Sequence, residues 1–177
     1  MDFKEILANK SLKAKEQTEK LSLWVAENTD KTLDIIAFAK TAKDPLKATC
    51  IEAFELATKT NQGMSSLPLL DYVSHTLTEK APRVKWESAR VVGNIAHLYP
   101  KQLDMAIKNL LINTEHVGTV VRWSAAFALG EILKLKTPEN KELIPAIENI
   151  CDREEKNSIK KIYLAALKKA KNETSKK

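Results

Sequence analysis

Three aromatic residues and the charged side chains around them are the part of this sequence best suited to chemistry. Trp86 and Trp123 lie in the segments VKWESARVVGNI (84–95) and VRWSAAFALGEI (121–132), and Phe127 follows Trp123 by one helical turn. On a helical wheel all three side chains point away from the apolar side of their helix. Exposed aromatic residues with polar neighbours are typical of binding surfaces, where Trp and Arg are the commonest anchors. The chemistry indicated is therefore non-covalent recognition.

Seven residues on the solvent side of these two segments, or at its edge, form the candidate partner-binding set: Trp86, Arg90, His97, Trp123, Phe127, Glu131 and Lys134. We expect the aromatic side chains to lose water on binding, with Arg90 and Glu131 setting the partner's orientation. Gly93 and Gly130 fall in the same rows, and we expect them to make the floor of the surface shallow. The alternative is that the tryptophans lie flat between neighbouring helices, since Trp is rarely fully exposed.

Residue types that catalyse reactions are present, but their spacing in the sequence matches no catalytic or metal-binding motif. His75, His97 and His116 are not paired in sequence with a nucleophile. Cys50 and Cys151 lie far apart in helical patterns, which predicts two reduced, buried thiols. The sequence has no Cys-x-x-Cys, no His pair at ligand spacing and no glycine loop that would hold phosphate. We expect no metal, no cofactor and a binding role in place of an enzymatic one.

Composition and charge favour an ordinary helical protein. The 177 residues are 44% hydrophobic and 29% charged, with only four Gly and six Pro. The net charge is +6, of which the last ten residues, KKAKNETSKK, carry +4. The body of the chain is thus nearly neutral, which argues against an extended nucleic-acid groove. The charged start and the lack of a long apolar stretch predict a cytoplasmic protein with no membrane span.

Four segments of the chain repeat one pattern, and these segments must position the aromatic residues. They start at Leu46, Val84, Val121 and Ile159, so the repeat length is 37 to 38 residues. Each start is an aliphatic residue followed by Lys or Arg. A further helical pattern precedes each segment, over 31–43, 66–79, 101–113 and 139–152, with turn residues between the two. The repeating unit is therefore helix–turn–helix.

Turn chemistry predicts one helix start in particular. Thr137 followed by Pro138 indicates an N-cap residue with Pro at the first helical position of the fourth pair.

The repeat resembles the HEAT-repeat family, including its short bacterial HEAT-like members. The resemblance rests on the aliphatic-basic start, on the small residues that follow it, and on the ALG at 128–130. It covers roughly residues 30 to 170. It implies an all-α, right-handed α–α superhelix, or solenoid, whose second helices line a concave surface. Members of the family often carry an Asp before the basic residue, forming a polar ladder. Only Asp44, before Lys47, fits here, so the resemblance implies an incomplete ladder.

The predicted organisation is a cap, a repeat array and a tail. Residues 1–28 are helical with a polar middle, as expected of an N-terminal helical cap. About four helix pairs follow over 29–170, with approximate units 29–62, 63–99, 100–136 and 137–170. Residues 171–177 form a basic tail that we expect to be flexible.

These observations favour a monomeric scaffold or adaptor that binds a peptide or protein partner on its concave surface. The alternative from another class is a nucleic-acid-binding protein similar to the HEAT-like alkylpurine DNA glycosylases, which line a concave cleft with Trp and use a catalytic Asp. The middle second helices contain no Asp, although Glu87 and Glu131 lie near the tryptophans. The candidate phosphate contacts for that alternative are Arg83, Lys85, Arg90, Arg122, Lys134 and Lys161. Self-association and a chromophore-lyase role, known among HEAT-like proteins, are further alternatives.

Overall fold

The computed structural model describes residues 2–171, and this part of the chain contains ten α-helices and no strand. The helices are α1 (Phe3–Ala8), α2 (Ala14–Glu27), α3 (Thr32–Thr41), α4 (Asp44–Thr60), α5 (Leu67–Thr76), α6 (Pro82–Ile95), α7 (Asp104–Asn113), α8 (Thr119–Leu133), α9 (Asn140–Arg153) and α10 (Asn157–Lys171). In the described residues no helix is both long and apolar enough to cross a membrane.

The helices form two layers. Helices α2, α4, α6, α8 and α10 lie side by side, each contacting the next. Each of them also packs against the helix that precedes it in the chain, and those preceding helices form the other layer. Neighbouring second helices contact each other far more extensively than α3, α5 and α7 do, which places the second helices on the inside of the curved array. The all-α solenoid expected from the repeats is confirmed.

Small side chains let the second helices approach each other closely. Ala125, Ala126 and Ala128 are buried on three sides of α8, together with Leu129 and Leu133. Helix α8 is therefore apolar around most of its circumference, as expected of a helix that is flanked on both sides and covered by α7. The solvent side of α4, α6, α8 and α10 is the remaining open strip, which we call the second-helix face.

The N-terminal segment packs as one more helix pair. The Phe3 ring of α1 lies 5.7 Å from the Trp24 ring of α2 and 5.7 Å from the Phe38 ring of α3. Helix α2 continues the row of second helices by packing on α4. The exact unit boundaries stay a prediction. Of the predicted tail, Lys171 ends α10, and 172–177 lie outside the described residues.

The predicted start of the fourth helix pair is wrong. Helix α9 begins at Asn140, after the Thr137–Pro138 dipeptide. The dipeptide instead opens a tight turn, in which the Asn140 N–H donates to the Thr137 carbonyl over 3.0 Å and the Lys141 N–H donates to the Pro138 carbonyl over 3.1 Å. The Asn140 side chain then donates to the Leu133 carbonyl at the end of α8, over 2.8 Å, which ties the turn to that helix.

A polar ladder joins successive repeats, but it is made by residues other than the expected Asp. The basic residue at the start of each second helix reaches the end of the first helix in the next repeat. Lys47 Nζ lies 2.9 Å from Glu79 Oε1, and Lys85 Nζ lies 3.2 Å from Asn113 Oδ1. Arg122 Nε donates to Glu154 Oε2 over 3.0 Å. The ladder is thus complete at three consecutive junctions, with partners that lie 28 to 32 residues ahead.

The Arg122–Glu154 rung is a largely buried ion pair. The Glu154 side chain is only 5% exposed. Burial acts to raise the pKa of Glu154, but hydrogen bonds from the Arg122 guanidinium and the Lys156 backbone N–H hold that pKa below its ordinary value. Arg122 Nη1 also donates to the His116 carbonyl over 2.9 Å, so one guanidinium joins the turns of two repeats.

Arg122→Leu is expected to destabilise the protein by about 3 kcal/mol near neutral pH, because it leaves a buried carboxylate without its cation. The loss should shrink as the pH falls through the lowered pKa of Glu154, since the protonated carboxyl no longer needs the guanidinium. Urea unfolding between acidic and neutral pH measures both effects. Arg153→Leu is the matched control: its ion pair with Glu115 is more than half exposed, and it should cost less than about 0.5 kcal/mol. Equal losses in the two variants would contradict the assignment.

Candidate functional site

The aromatic pair on α8 lies on the second-helix face. The Trp123 and Phe127 rings stack almost in parallel, with centroids 6.1 Å apart and an interplanar angle of 7°. Trp123 is 39% exposed, whereas Phe127 is half-buried. Trp123 is thus the more exposed member of the stack, and Phe127 supports it. The two aromatic residues therefore differ in burial: Trp123 is partly open to solvent, whereas Phe127 is partly covered by the protein.

Phe127 is half-buried because it reaches across to α6. A Cβ atom built on Gly93 would lie 2.4 Å from Phe127 Cε1, so the ring occupies the space that a side chain at residue 93 would need. Gly93 is buried, and Gly130 faces Ala166 and Ile162 of α10. The expectation that the two glycines form a shallow floor open to a partner is wrong. They are the sites where the next helix packs.

The equivalent contact one repeat earlier is an ion pair. Arg90 occupies the repeat position of Phe127, and Glu55 occupies that of Gly93. Arg90 Nη2 lies 2.9 Å from Glu55 Oε1, and Lys59 Nζ lies 2.5 Å from the same oxygen. The Glu55 side chain is 1% exposed. Arg90 therefore holds α6 against α4, and its expected role of orienting a partner is not supported by this geometry.

Trp86 is half-buried and is held by its neighbour in the chain. Its indole N–H donates to Glu87 Oε1 over 2.7 Å. Glu87 is itself buried, and burial raises the pKa of its carboxyl above the ordinary value, with Glu52 and Glu55 adding to the effect. The indole hydrogen bond and Arg90, whose Nη1 lies 3.7 Å from Glu87 Oε2, act in the opposite direction. Trp86 thus lies over a carboxylate cluster, in a different setting from Trp123.

The remaining three predicted residues lie at the edges of the face. Glu131 and Lys134 form an ion pair within α8, with Oε1 and Nζ 2.5 Å apart. His97 lies in the short turn after α6 and is exposed, with its Nε2 3.2 Å from Gln62 Oε1. The structure brings Trp123, Phe127, Glu131 and Lys134 together on α8, with Trp86 and Arg90 on the next helix.

The cations that a nucleic-acid groove would need are mostly engaged within the protein. Arg83 pairs with Glu52 at 2.5 Å, and the partners of Arg90, Arg122 and Lys134 are given above. Lys85 donates to Asn113 and to the Leu77 carbonyl. Of the six candidates, only Lys161 has no ion pair or hydrogen bond among residues 2–171.

Sequence reasoning missed the carboxylates beneath the face. Glu55 and Glu87 are almost fully buried, although each is a charged residue on the side of its helix that faces away from the first helix. The repeat alignment could have indicated the burial of Glu55, because Glu55 aligns with Gly93 and Gly130, and a glycine at that position leaves room for a neighbouring helix. In the described residues no group of three His, Cys, Asp or Glu side chains could hold a metal ion.

Of the cavities in the described residues, two lie beside the outer layer and the ladder of the last two repeats. An apolar one of about 460 Å³ opens between α7 and α9 and is lined by Ile107, Leu111 and Leu143. A polar one of about 300 Å³ surrounds the Arg122–Glu154 rung. The first is a gap in the outer layer and the second is part of the ladder.

Comparison with known proteins identifies the fold but no closer relative. The sequence matches no protein-family model, and no curated protein matches it. Among solved structures, the designed armadillo repeat protein YIII(Dq.V1)4CPAF, in complex with the peptide (KR)4, is similar with a TM-score of 0.70 and 16% identity, covering 95% of this chain and 80% of its own. The designed armadillo repeat protein YIII(Dq)4CqI gives a TM-score of 0.65 at 14% identity, with the same coverages.

An engineered protein gives a TM-score of 0.64 at 16% identity, covering 94% of this chain and 80% of its own. These similarities extend over nearly the whole chain. The protein therefore has the armadillo/HEAT-like α-solenoid repeat fold.

The two glycines at the same repeat position are expected to respond to alanine in opposite directions. Gly130→Ala places its Cβ in ordinary contact with Ala166 and Ile162, at 3.5 and 3.6 Å, and should stabilise the helix by about 0.5–1 kcal/mol. Gly93→Ala displaces the Phe127 ring and should destabilise by about 1–3 kcal/mol. Urea unfolding measures both. In a Phe127→Ala background Gly93→Ala should no longer destabilise, and a penalty that persists there would disprove the contact.

Glu87→Gln is expected to change how stability depends on pH. The raised pKa of Glu87 means that the folded protein binds a proton more readily than the unfolded chain. Wild-type stability should therefore fall relative to the variant as the pH rises from about 4.5 through the folded pKa. Thermal unfolding of both proteins across this range measures the difference. Glu131→Gln, at a more exposed carboxylate, is the control, and a wild-type difference from Glu87→Gln that stays constant with pH would contradict the assignment.

Proposed function

We propose that the protein is a non-enzymatic scaffold or adaptor that binds a peptide or protein segment on its second-helix face. The stacked Trp123–Phe127 pair supplies the main anchor. The observation that carries the proposal is the 39% exposure of Trp123 in the middle of a row of packed helices. The part of a large apolar side chain that stays open at such a position is removed from water only when a partner covers it.

The Trp123 ring is preorganised for this role. It stacks on Phe127, and Phe127 in turn fills the space above Gly93, so the anchor stands on two neighbouring helices. A ring that is fixed before binding loses little conformational freedom when the partner arrives. The contact between α6 and α8 thus supports the binding surface as well as the fold.

Trp86 provides a second, weaker contact point on the adjacent helix. Helices packed in this way have axes roughly 8–10 Å apart, and an extended chain covers that distance in about three residues. Trp86 is partly exposed and its indole N–H already has the Glu87 acceptor, so only its ring is offered to a partner. A short extended segment could contact both tryptophans.

The comparison supports the kind of partner. The designed armadillo repeat protein with the TM-score of 0.70 is in complex with a peptide, so this architecture can serve peptide binding. The nucleic-acid alternative loses support, because five of its six candidate cations bind acceptors within the protein. The monomeric state and a cytoplasmic location stay predictions from the sequence.

Trp123→Ala is expected to abolish peptide capture while the repeat array stays folded. Peptides selected from a random display library on the wild-type protein should bind the variant at least about tenfold more weakly, since removing an aromatic anchor typically costs 2 kcal/mol or more. Fluorescence anisotropy of labelled peptides gives the affinities. Ile112→Ala is the matched control, because Ile112 is 55% exposed on α7 in the other layer and should leave binding unchanged.

Two results would contradict the proposed function. One is a set of selected peptides that bind Trp123→Ala as well as the wild type. The other is loss of the helical circular-dichroism signal in Trp123→Ala, which would show that the side chain is needed for folding.

A further inference from the structure

We infer that the segment bound beside Trp123 is acidic, with Asp or Glu next to its apolar anchor. This inference rests on the proposed function and specifies its partner. It depends on the end of the second-helix face formed by α8 and α10, where α8 carries the aromatic stack and α10 carries two exposed lysines, Lys161 and Lys168.

The rotation of α10 places these lysines on the face. Ala166 and Ile162 of α10 are the residues that meet Gly130 of α8. Lys161 and Lys168 lie on the α10 surface opposite its buried Ile159, Tyr163 and Ala166 side, and both are exposed. They are seven residues apart and hence on the same side of the helix. Lys161 aligns with Trp123 in the repeat, and α10 packs beside α8, so we expect Lys161 to occupy the position on α10 that Trp123 occupies on α8.

These lysines differ from the other cations of the face. Lys59 and Arg90 pair with Glu55, Arg83 pairs with Glu52, and Lys134 pairs with Glu131. For Lys161 and Lys168 no ion pair or hydrogen bond is found within residues 2–171. The α4–α6 part of the face is therefore neutralised internally, whereas the α8–α10 part retains positive charge beside an exposed indole. Its electrostatic complement is a carboxylate.

The spacing follows from the helix packing. A segment with an apolar residue on Trp123 reaches the Lys161 side chain after roughly 8–10 Å, which is two to three extended residues. An Asp or Glu two residues from the anchor points to the same side of an extended chain and meets the lysine. The expected pattern is an aromatic or aliphatic residue with a carboxylate two or three positions away.

A protein segment fits this surface better than a nucleic acid. A nucleic acid needs several free cations along one face, because its affinity comes mainly from phosphate contacts. Beyond Trp123 the face continues onto α6 and α4, where Glu52, Glu55 and Glu87 lie among their own cations. A short acidic segment uses the two lysines without extending over these carboxylates.

Three labelled peptides test the inference by fluorescence anisotropy. Each repeats a four-residue unit, Phe-Ser-Glu-Ser, Phe-Ser-Gln-Ser or Phe-Ser-Lys-Ser, and an oligothymidylate serves as the nucleic-acid probe. The Glu peptide should bind wild type at least about tenfold more tightly than the Lys peptide, and raising salt from about 0.05 to 0.5 M should weaken it several-fold. Lys161→Glu with Lys168→Glu should reverse the preference. Lys141→Glu, at an exposed lysine on α9, should not.

The outcomes separate the two proposals. Trp123-dependent binding of all three peptides with equal affinity, or a preference for the Lys peptide, overturns the acidic segment and leaves the proposed function intact. No Trp123-dependent binding of any peptide overturns the acidic segment, and the display selection then decides the proposed function separately. Tighter binding of oligothymidylate than of the Glu peptide, lost in the double lysine variant, assigns the surface to nucleic acid.

Discussion

The lateral contact between neighbouring second helices is the constraint on which the rest of the structure depends. Each second helix carries a side chain that packs against the preceding second helix. The residue that it meets there must leave room for it or bind it. Between α6 and α8 the contact is Phe127 over Gly93, and between α4 and α6 it is Arg90 on Glu55. An aromatic ring on a glycine and an ion pair are different solutions to the same geometric demand, because both fill the space between two closely spaced helices.

This contact also determines what the surface offers to a partner. Arg90 pairs with buried carboxylates and so is not available to a partner. Phe127 is apolar, and its ring stacks on Trp123. The two junctions therefore differ in polarity, although they align in sequence. In the proposed binding surface the same residues would serve packing and recognition, which would tie the shape of the anchor to the stability of the array.

The repeat length, the pairing of helices in each repeat and the apolar sides of the second helices could largely be predicted from the sequence, since periodicity reports which side of a helix is covered. The sequence did not show which residues on the rest of the helix circumference contact a neighbouring second helix and which face solvent. Gly93 and Glu55 read as solvent-facing on a wheel, yet both are covered by the next helix, because curvature brings second helices close together. The sequence likewise carried no signal that Thr137 and Pro138 would form a tight turn before α9 begins at Asn140.

Charge along the second-helix face is arranged by the same packing. Carboxylates that lie beneath the α4–α6 junction hold the nearby cations in place, so those cations serve the fold. At the α8–α10 junction Gly130 meets Ala166 and Ile162, no carboxylate is needed there, and Lys161 and Lys168 stay exposed. The designed neighbour in complex with (KR)4 shares this backbone arrangement at 16% identity. A shared fold at this level of identity does not determine ligand charge, because charge complementarity depends on the particular side chains that each surface leaves free.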